Sequence, residues 1–332
     1  MTGVSVVVPT LGRPSLTALL GALAAGEPAR GTVEFLLVDD RRDATRELPV
    51  PPGVDCEVLT GRAAGPAAAR NVGWHAARHK WVAFLDDDVV PDPDWLTRLH
   101  DDLTGAGPDV GGVQGVLRVP LPTGRRPTDW ERVTAALADG AWITADMAYR
   151  RAALGAAGGF DERLPRAFRE DAELAHRVRQ AGYRLVRGAR TVTHPVRPEN
   201  RWVSVRTQRG NADDALLHHL YGRGWRTRLE IPPGRRRRHL AVTAAGALAA
   251  AVTVPALLTG RRAWTVAAGV AAVVWAAGTA EFAAARIAPG PRTAREVTTM
   301  VLTSVAIPPV ATVHWLRGWA RWRGARPLGS AR

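Results

Sequence analysis

The stretch Trp81-Val82-Ala83-Phe84-Leu85-Asp86-Asp87-Asp88 sets five apolar residues directly against three carboxylates. Five residues with no polar face are too few for a buried helix and suit a strand covered on both sides. The same pattern repeats outward from it. Val4 to Val8 is a β-branched run stopped by Pro9-Thr10, and Phe35-Leu36-Leu37-Val38 is a second buried-strand candidate ending in Asp39-Asp40. Leu16 to Ala25 has helical spacing, and Ala67 to His79 reads as another helix just before Trp81. Strand, helix, strand, helix, strand implies right-handed crossovers and an α/β fold with a mostly parallel sheet flanked by helices. Such sheets bind ligands beyond the carboxyl ends of their strands, where Thr10, Asp40 and Asp86 to Asp88 converge.

The chain has 332 residues, 46% apolar and 23% charged, which supplies enough apolar surface to exclude a disordered chain. Cys56 is the single cysteine, so a disulfide framework and a thiolate zinc knuckle are excluded and the chain reads as intracellular. The formal net charge of 45 − 31 = +14 is unevenly placed. Residues 1–230 hold 31 basic and 29 acidic side chains, a net of +2, whereas residues 231–332 hold 14 basic ones against Glu281 and Glu296, a net of +12. A near-neutral head argues against nucleic acid as a partner.

The cationic tail is also the most apolar part. Residues 240–260 carry no charge and, at about 1.5 Å per residue, can cross a bilayer core of about 30 Å. Residues 263–285 form a second candidate span, interrupted by Glu281. Residues 297–316 form a third, which Pro308-Pro309 should kink or break. Trp315, Trp319 and Trp322 alternate there with Arg317, Arg321 and Arg323 as in a headgroup-level anchor, so spanning and interfacial placements both stay open. Arg235 to Arg238 precede the first span and place the head in the cytoplasm, at the cell membrane, with membrane lipids as partners. Val4 to Val8 is too short for the apolar core of a signal peptide. The expected organisation is a catalytic head over 1–230 and a membrane-anchoring helical tail over 231–332.

Three adjacent carboxylates beside an apolar run repel one another and call for a compensating cation. Hard oxygen ligands suit Mg²⁺ or Mn²⁺, and an extended chain would send Asp86 and Asp88 to one side and Asp87 to the other. The ordinary alternative is a solvated loop whose Asp94 caps the helix beginning near Trp95. Other stretches join the acidic edge. Gly65 to Asn71 is a tight turn feeding a helix that carries Arg70 and Asn71, Arg169-Glu170-Asp171 opens a helix, and Thr193-His194-Pro195 ends a strand with an imidazole. Ile143 to Tyr149 is a strand that suits either the site or the core, and Phe160 suits packing. His218 and His219 lack a spaced partner and read as surface helix positions, while Arg197, Arg201 and Arg206 suit a solvated basic face or contacts to the phosphates of a lipid-linked acceptor.

In order along the chain, these pieces resemble the family 2 nucleotide-sugar glycosyltransferases, whose fold is GT-A and Rossmann-like, and in particular membrane-anchored bacterial members. The matching motifs are Val-Val-Pro-Thr at 7–10, Val-Asp-Asp at 38–40, Ala-Arg-Asn at 69–71, Leu-Asp-Asp-Asp at 85–88, Arg-Glu-Asp at 169–171 and Thr-His-Pro at 193–195. The resemblance implies a nucleotide-sugar donor held by Pro9, Thr10, Asp40, Arg70, Asp86 and Asp87. It implies a divalent metal on Asp88, with Asp86 and His194 beside it, and Asp171 as catalytic base, with Glu170 as the alternative. It also implies inverting single displacement onto an acceptor hydroxyl of a glycan or lipid-linked acceptor, as in the assembly of a cell envelope glycan. Arg41-Arg42 stand where small polar residues are usual, which leaves the preferred base open, and the absence of Gln-x-x-Arg-Trp argues against a processive synthase. Two other readings compete: a metal-dependent phosphohydrolase with an aspartate nucleophile, and a non-enzymatic, membrane-anchored basic binding module.

Overall fold

A computed structural model describes residues 3–328, so the outermost residues of the expected head and tail, 1–2 and 329–332, lie outside the described part. The strands are β1 (Val4–Thr10), β2 (Val33–Asp39), β3 (Glu57–Thr60), β4 (Trp81–Leu85), β5 (Val90–Pro91), β6 (Val110–Arg118), β7 (Asp146–Arg150) and β8 (Arg184–Thr193). They form one sheet in the order β3-β2-β1-β4-β7-β6-β8-β5. Helices α1 (Pro14–Ala25), α2 (Pro66–Ala76), α3 (Trp95–Thr104), α4 (Asp129–Ala135), α5 (Arg151–Ala157) and α6 (Glu170–Gln180) alternate with the strands. Short helices α7 (Val203–Arg206), α8 (Asn211–Tyr221) and α9 (Trp225–Arg228) follow, then three long ones, α10 (Arg236–Thr259), α11 (Arg262–Ile287) and α12 (Ala294–Arg321).

Strand β1 lies between β2 and β4, parallel to both, with Thr10 opposite Asp39 and Val7 opposite Phe84. That register sets the polar ends of the three strands side by side. Both faces of β1 are covered because alternate residues enter different cores: Val6 and Val8 join Leu16, Leu19, Leu20 and Trp95, while Val7 joins Leu36, Ala69 and Phe84. The sheet is parallel from β3 to β4 and again between β6 and β8, but β7 runs antiparallel to both β4 and β6, and β5 is antiparallel to β8. The result is the expected α/β sheet with flanking helices, mixed rather than uniform in direction.

Prolines sharpen the helix starts. Pro14 and Pro66 sit in the first turns of α1 and α2, where a missing N–H costs nothing and φ is already helical, so both helices begin earlier than their apolar periodicity suggests. Helix α2 also ends earlier, at Ala76, because Ala77 leaves the helical region with ψ 129°. Asp94 occupies the N-cap position of α3, yet makes no side-chain cap and pairs with Arg98 instead. The Ile143 to Tyr149 segment is core: β7 is buried throughout.

Two features, one in the tail and one where the head meets it, depart from expectation. Helix α12 runs unbroken through Pro308-Pro309, with Pro308 buried, so tertiary packing overrides the local cost of two missing donors. His218 and His219 are not surface positions. They meet α12, with the His218 ring 5.7 Å from Trp315 and the His219 ring 4.1 Å from Trp319.

Beneath the site, Arg190 is fully buried and is held by Asp146 at 2.7 Å and Asp102 at 3.0 Å, while Trp95 donates to Asp146 at 2.8 Å. Removing one partner of such a set leaves a buried charge without full compensation. Asp146→Ala should therefore destabilise the fold by about 3 kcal/mol, visible as a clearly lowered melting temperature, whereas an exposed control such as Asp43→Ala should move it little.

Candidate active site

The carboxyl ends of β1, β2 and β4 and the start of α2 enclose a cleft of about 330 Å³ lined by Pro9, Thr10, Asp40, Gly65, Arg70, Asp86, Asp87, Asp88 and Arg197. Gly65 has φ +98°, and a Cβ there would come within 2.1 Å of the Pro165 carbonyl, so only glycine lets this turn close. Its N–H donates to Asp40 Oδ2 at 2.9 Å, while the other oxygen of Asp40 is buried with no partner among the described residues. An unpaired buried acceptor at the end of β2 is the kind of group a ligand N–H or O–H would satisfy.

The three aspartates do not share the two sides of an extended strand. The chain turns at Asp87 and Asp88, and each carboxylate takes a different neighbour. Asp87 accepts from Thr10 Oγ1 at 2.7 Å, from the Leu11 N–H at 3.3 Å and from Arg13 at 3.1 Å, which ties the β1 loop to β4 and uses both of its oxygens. Asp86 accepts from Arg70 at 2.7 Å. Asp88 faces His194 Nε2 at 3.6 Å and Arg197 Nε at 3.1 Å. Burial, then the charge of Asp86, pushes the Asp88 carboxyl above its ordinary range. Asp86, Asp88 and His194 are thus neighbours but not a gathered ligand set, and no group of three His, Cys, Asp or Glu side chains stands ready to hold a metal among the described residues.

Arg70 joins the strand ends to α6. It is 1% exposed, donates to Asp86 and, at 2.9 Å, to Glu170, and lies over the Phe160 ring at 5.5 Å. Asn71 works behind it, exchanging hydrogen bonds with the backbone of Phe160 at 2.9 and 3.0 Å and so fixing the chain that leads to α6. Phe160 itself packs edge-on against Phe84. Arg169 precedes α6 with φ +77°, and inside the helix the successive side chains of Glu170 and Asp171 point about 100° apart. Glu170 points inward and is buried; burial, then the charge of Asp171, pushes it up to about 8. Asp171 is less enclosed by its neighbours, accepts from the Ala172 N–H at 2.7 Å, and is pushed upward chiefly by burial. Neither Glu170, Asp171 nor His194 lines the cleft itself.

Sequence reasoning passed over one cation here and missed the contact of another. Arg13 locks Asp87, and Arg197, on the exposed basic face, reaches Asp88. No motif marks either; Arg197 gives its position away only by following His194 by three residues. Arg201 stacks on Trp202 and Arg206 pairs with Glu199. Arg197 also lines a second, larger cavity of about 820 Å³ between the head and the long helices, with Trp130, Ser204, Phe282, Arg286 and Ile307 among its walls.

Residues 5–140 match the model of Glycosyl transferase family 2. The chain is 39% identical over 82 residues to the succinoglycan biosynthesis protein ExoO of Rhizobium meliloti, covering 24% of this chain and 24% of that protein. It is 34% identical over 146 residues to a pre-mycofactocin glycosyltransferase of Mycobacterium tuberculosis, covering 40% of this chain and 30% of that one. The chain therefore spans well under half the length of these curated relatives. In fold it is similar to the mannosyltransferase PcManGT of Pyrobaculum calidifontis, solved with GDP-Man and Mn²⁺, with a TM-score of 0.54 at 20% identity over 94% of this chain and 86% of that one.

The Arg70 bridge can be tested without knowledge of any ligand. Glu170→Ala leaves a buried guanidinium with only the part-exposed Asp86, and should cost about 3 kcal/mol in thermal unfolding. Glu170→Gln, which keeps an acceptor for Arg70, should recover much of that loss.

Proposed function

We propose, from the premise that residues 5–140 belong to glycosyl transferase family 2 and that the head has the GT-A fold, that this chain moves a sugar from a nucleotide-diphosphate donor to an acceptor hydroxyl at the cytoplasmic membrane face. The observation that carries the reading is the convergence of Asp40, Asp86 and Asp88 with Arg70 on one cleft, backed by the paired carboxylates that open α6. The cleft takes the donor. The free oxygen of Asp40 accepts from its base or ribose, Pro9 and Thr10 shape the wall with Asp87 locking them, and Asp86 is aimed by Arg70.

The residues around Asp88 fit a hard divalent cation. Asp88 is a buried carboxylate whose charge is disfavoured by its surroundings, and a cation relieves that cost, with the His194 imidazole as a second ligand and Asp86 nearby. When bound, Mg²⁺ or Mn²⁺ would supply charge stabilisation for the departing diphosphate. Arg197 adds a fixed positive charge on the same side.

Asp171 is the base. Of the two carboxylates, Glu170 is occupied in holding Arg70, which leaves Asp171 to take the acceptor proton as the hydroxyl attacks the anomeric carbon. The attack breaks the bond to the diphosphate in one displacement and inverts the centre. The larger cavity, reached through Arg197 and walled on one side by α11 and α12, receives the acceptor, a glycan or a lipid-linked one. A phosphohydrolase would instead need an aspartate free to attack in line, whereas Asp86 is engaged by Arg70 and Asp87 by three partners.

Asp171→Asn should keep donor binding, measured by calorimetry with nucleotide diphosphates, and lose transfer by about 10²- to 10⁴-fold. Because the base must be ionised and burial makes it hold its proton longer, wild-type kcat/KM should fall on the acid side with an apparent pKa above the ordinary carboxylate range. Wild-type turnover in the variant would reject this base. Asp88→Ala should abolish both transfer and the thermal stabilisation that Mn²⁺ confers on the nucleotide complex, with the ligand-free melting temperature kept; retained Mn²⁺ dependence would reject the metal assignment.

A further inference from the structure

Three helices are long and apolar enough to cross a membrane. We infer that only α10 and α11 cross, as a hairpin, and that α12 lies along the head at the bilayer surface, with one apolar face bedded in lipid on the same side as the cleft. This stands apart from the transferase reading and needs no activity to be true.

The contacts of α12 carry it. Near its start, Glu296 accepts from the Asp129 N–H at 2.9 Å. In its middle, Val310 and His314 share a hollow with Trp202 and Arg206. Near its end, a Cβ on Gly318 would come within 2.5 Å of the Ala212 carbonyl, and the His219 imidazole meets the Trp319 carbonyl at 3.1 Å. The head thus touches α12 from residue 296 to residue 319, over about 35 Å of helix. A helix so bound cannot cross a hydrocarbon core of about 30 Å without taking Asp129, Arg206 and the polar backbone around them into it.

The hairpin is attached differently. Among the described residues its polar contacts to α12 come from near its own base: Arg236 lies over the Trp315 ring at 3.9 Å, Thr243 and Thr312 hydroxyls are 3.3 Å apart, and Arg286 donates to Thr303 and Ser304 at 2.7 and 3.1 Å. Residues 286, 243 and 236 therefore lie against 303, 312 and 315 in turn, which is a crossing of the hairpin base and not a third antiparallel span. The far end of the hairpin stands clear, with Leu257 and Leu258 80% and 81% exposed. Beyond this crossing, residues 244–259 and 262–278 reach about 24 and 25 Å at about 1.5 Å per residue, which crosses a core of about 30 Å when α12 is itself bedded about 5 Å into the interface.

One face of α12 is largely exposed. Val301, Leu302, Val305, Val313 and Leu316 are all exposed and, at 100° per residue, fall within about 120° of the helix circumference. Thr312, which touches α10, lies inside this arc, so the hairpin leaves α12 from the same side that the stripe faces. The bilayer that the hairpin enters is thus the surface next to it, and the exposed Arg317 and Arg321 flank it as snorkelling cations do.

Single cysteines in a Cys56→Ser full-length background test the topology. Asp43→Cys marks the head, Arg261→Cys the hairpin turn and Arg323→Cys the end of α12, each read with a membrane-impermeant maleimide in right-side-out and inverted vesicles. Arg323→Cys should label from the same side as Asp43→Cys, and Arg261→Cys from the opposite side. Labelling of Arg323→Cys together with Arg261→Cys would make α12 a third span, and labelling of all three from one side would remove the hairpin crossing; either overturns the inference. A nitroxide on Val305→Cys should be quenched by oxygen far more than by a water-soluble nickel chelate; the reverse would put the stripe in water, and protection from both would mean that another protein covers it.

Discussion

A guanidinium buried to 1% exposure has to be surrounded by negative charge, and the position of Arg70 turns that requirement into architecture. The side chain starts from α2, meets Asp86 at the end of β4 and Glu170 at the start of α6, and rests on Phe160 from the connection between them. Segments 16 and 100 residues away along the chain are thereby obliged to meet. Those carboxylates raise an already high pKa, so the cation persists at any pH the protein meets and the obligation never lapses. Burial raises Glu170 and Asp171 in turn, which is the condition under which a carboxylate becomes useful as a base.

The Asp triplet shows how one acidic run divides its tasks. A turn at Asp87 splays the three side chains, so that one carboxylate stiffens the β1 loop, one receives Arg70, and one is left between an imidazole and Arg197. Had the chain stayed extended, Asp86 and Asp88 would have faced the same way and repelled each other at close range. The turn lowers that repulsion, while burial keeps Asp88 an uncomfortable anion. Asp40, one residue past β2, stands on the other side of the cleft with one oxygen bound by the Gly65 N–H.

What was legible in the sequence follows from the range of the forces involved. Strand β4 and the carboxylates that end it could be read directly, because a five-residue apolar run and its polar stop are local facts, and parallel register then gathers Thr10, Asp39 and Leu85 by topology alone. The inward placement of Glu170 could not be read, since which side of the first turn of α6 faces the body of the protein is settled by its packing against Arg70, 100 residues away. Arg13 and the contact of Arg197 with Asp88 were hidden for another reason. In a chain with 45 basic residues against 31 acidic ones, only tertiary packing selects the two that reach Asp87 and Asp88.

Helix α12 carries the same lesson into energetics. Two consecutive prolines remove donors from its middle, and propensity alone would break it there. It persists because the flanking turns are held from outside: Thr303, Ser304 and Ile307 are buried before the prolines and Ala311 and Gly318 after them, so unwinding would forfeit contacts to the head and the hairpin together. Those contacts also change where the protein can be divided. The tail expected from residue 231 onward includes the helix that covers α8, and Trp322 packs against the apolar cluster of Leu216, Leu220 and Trp225. Cutting at the start of the tail would strip that cluster and expose it to water, whereas removing only the hairpin, residues 236–287, would leave α12 on the head. The expected tail therefore contains, besides the apolar hairpin of α10 and α11, a helix that helps to complete the core of the head.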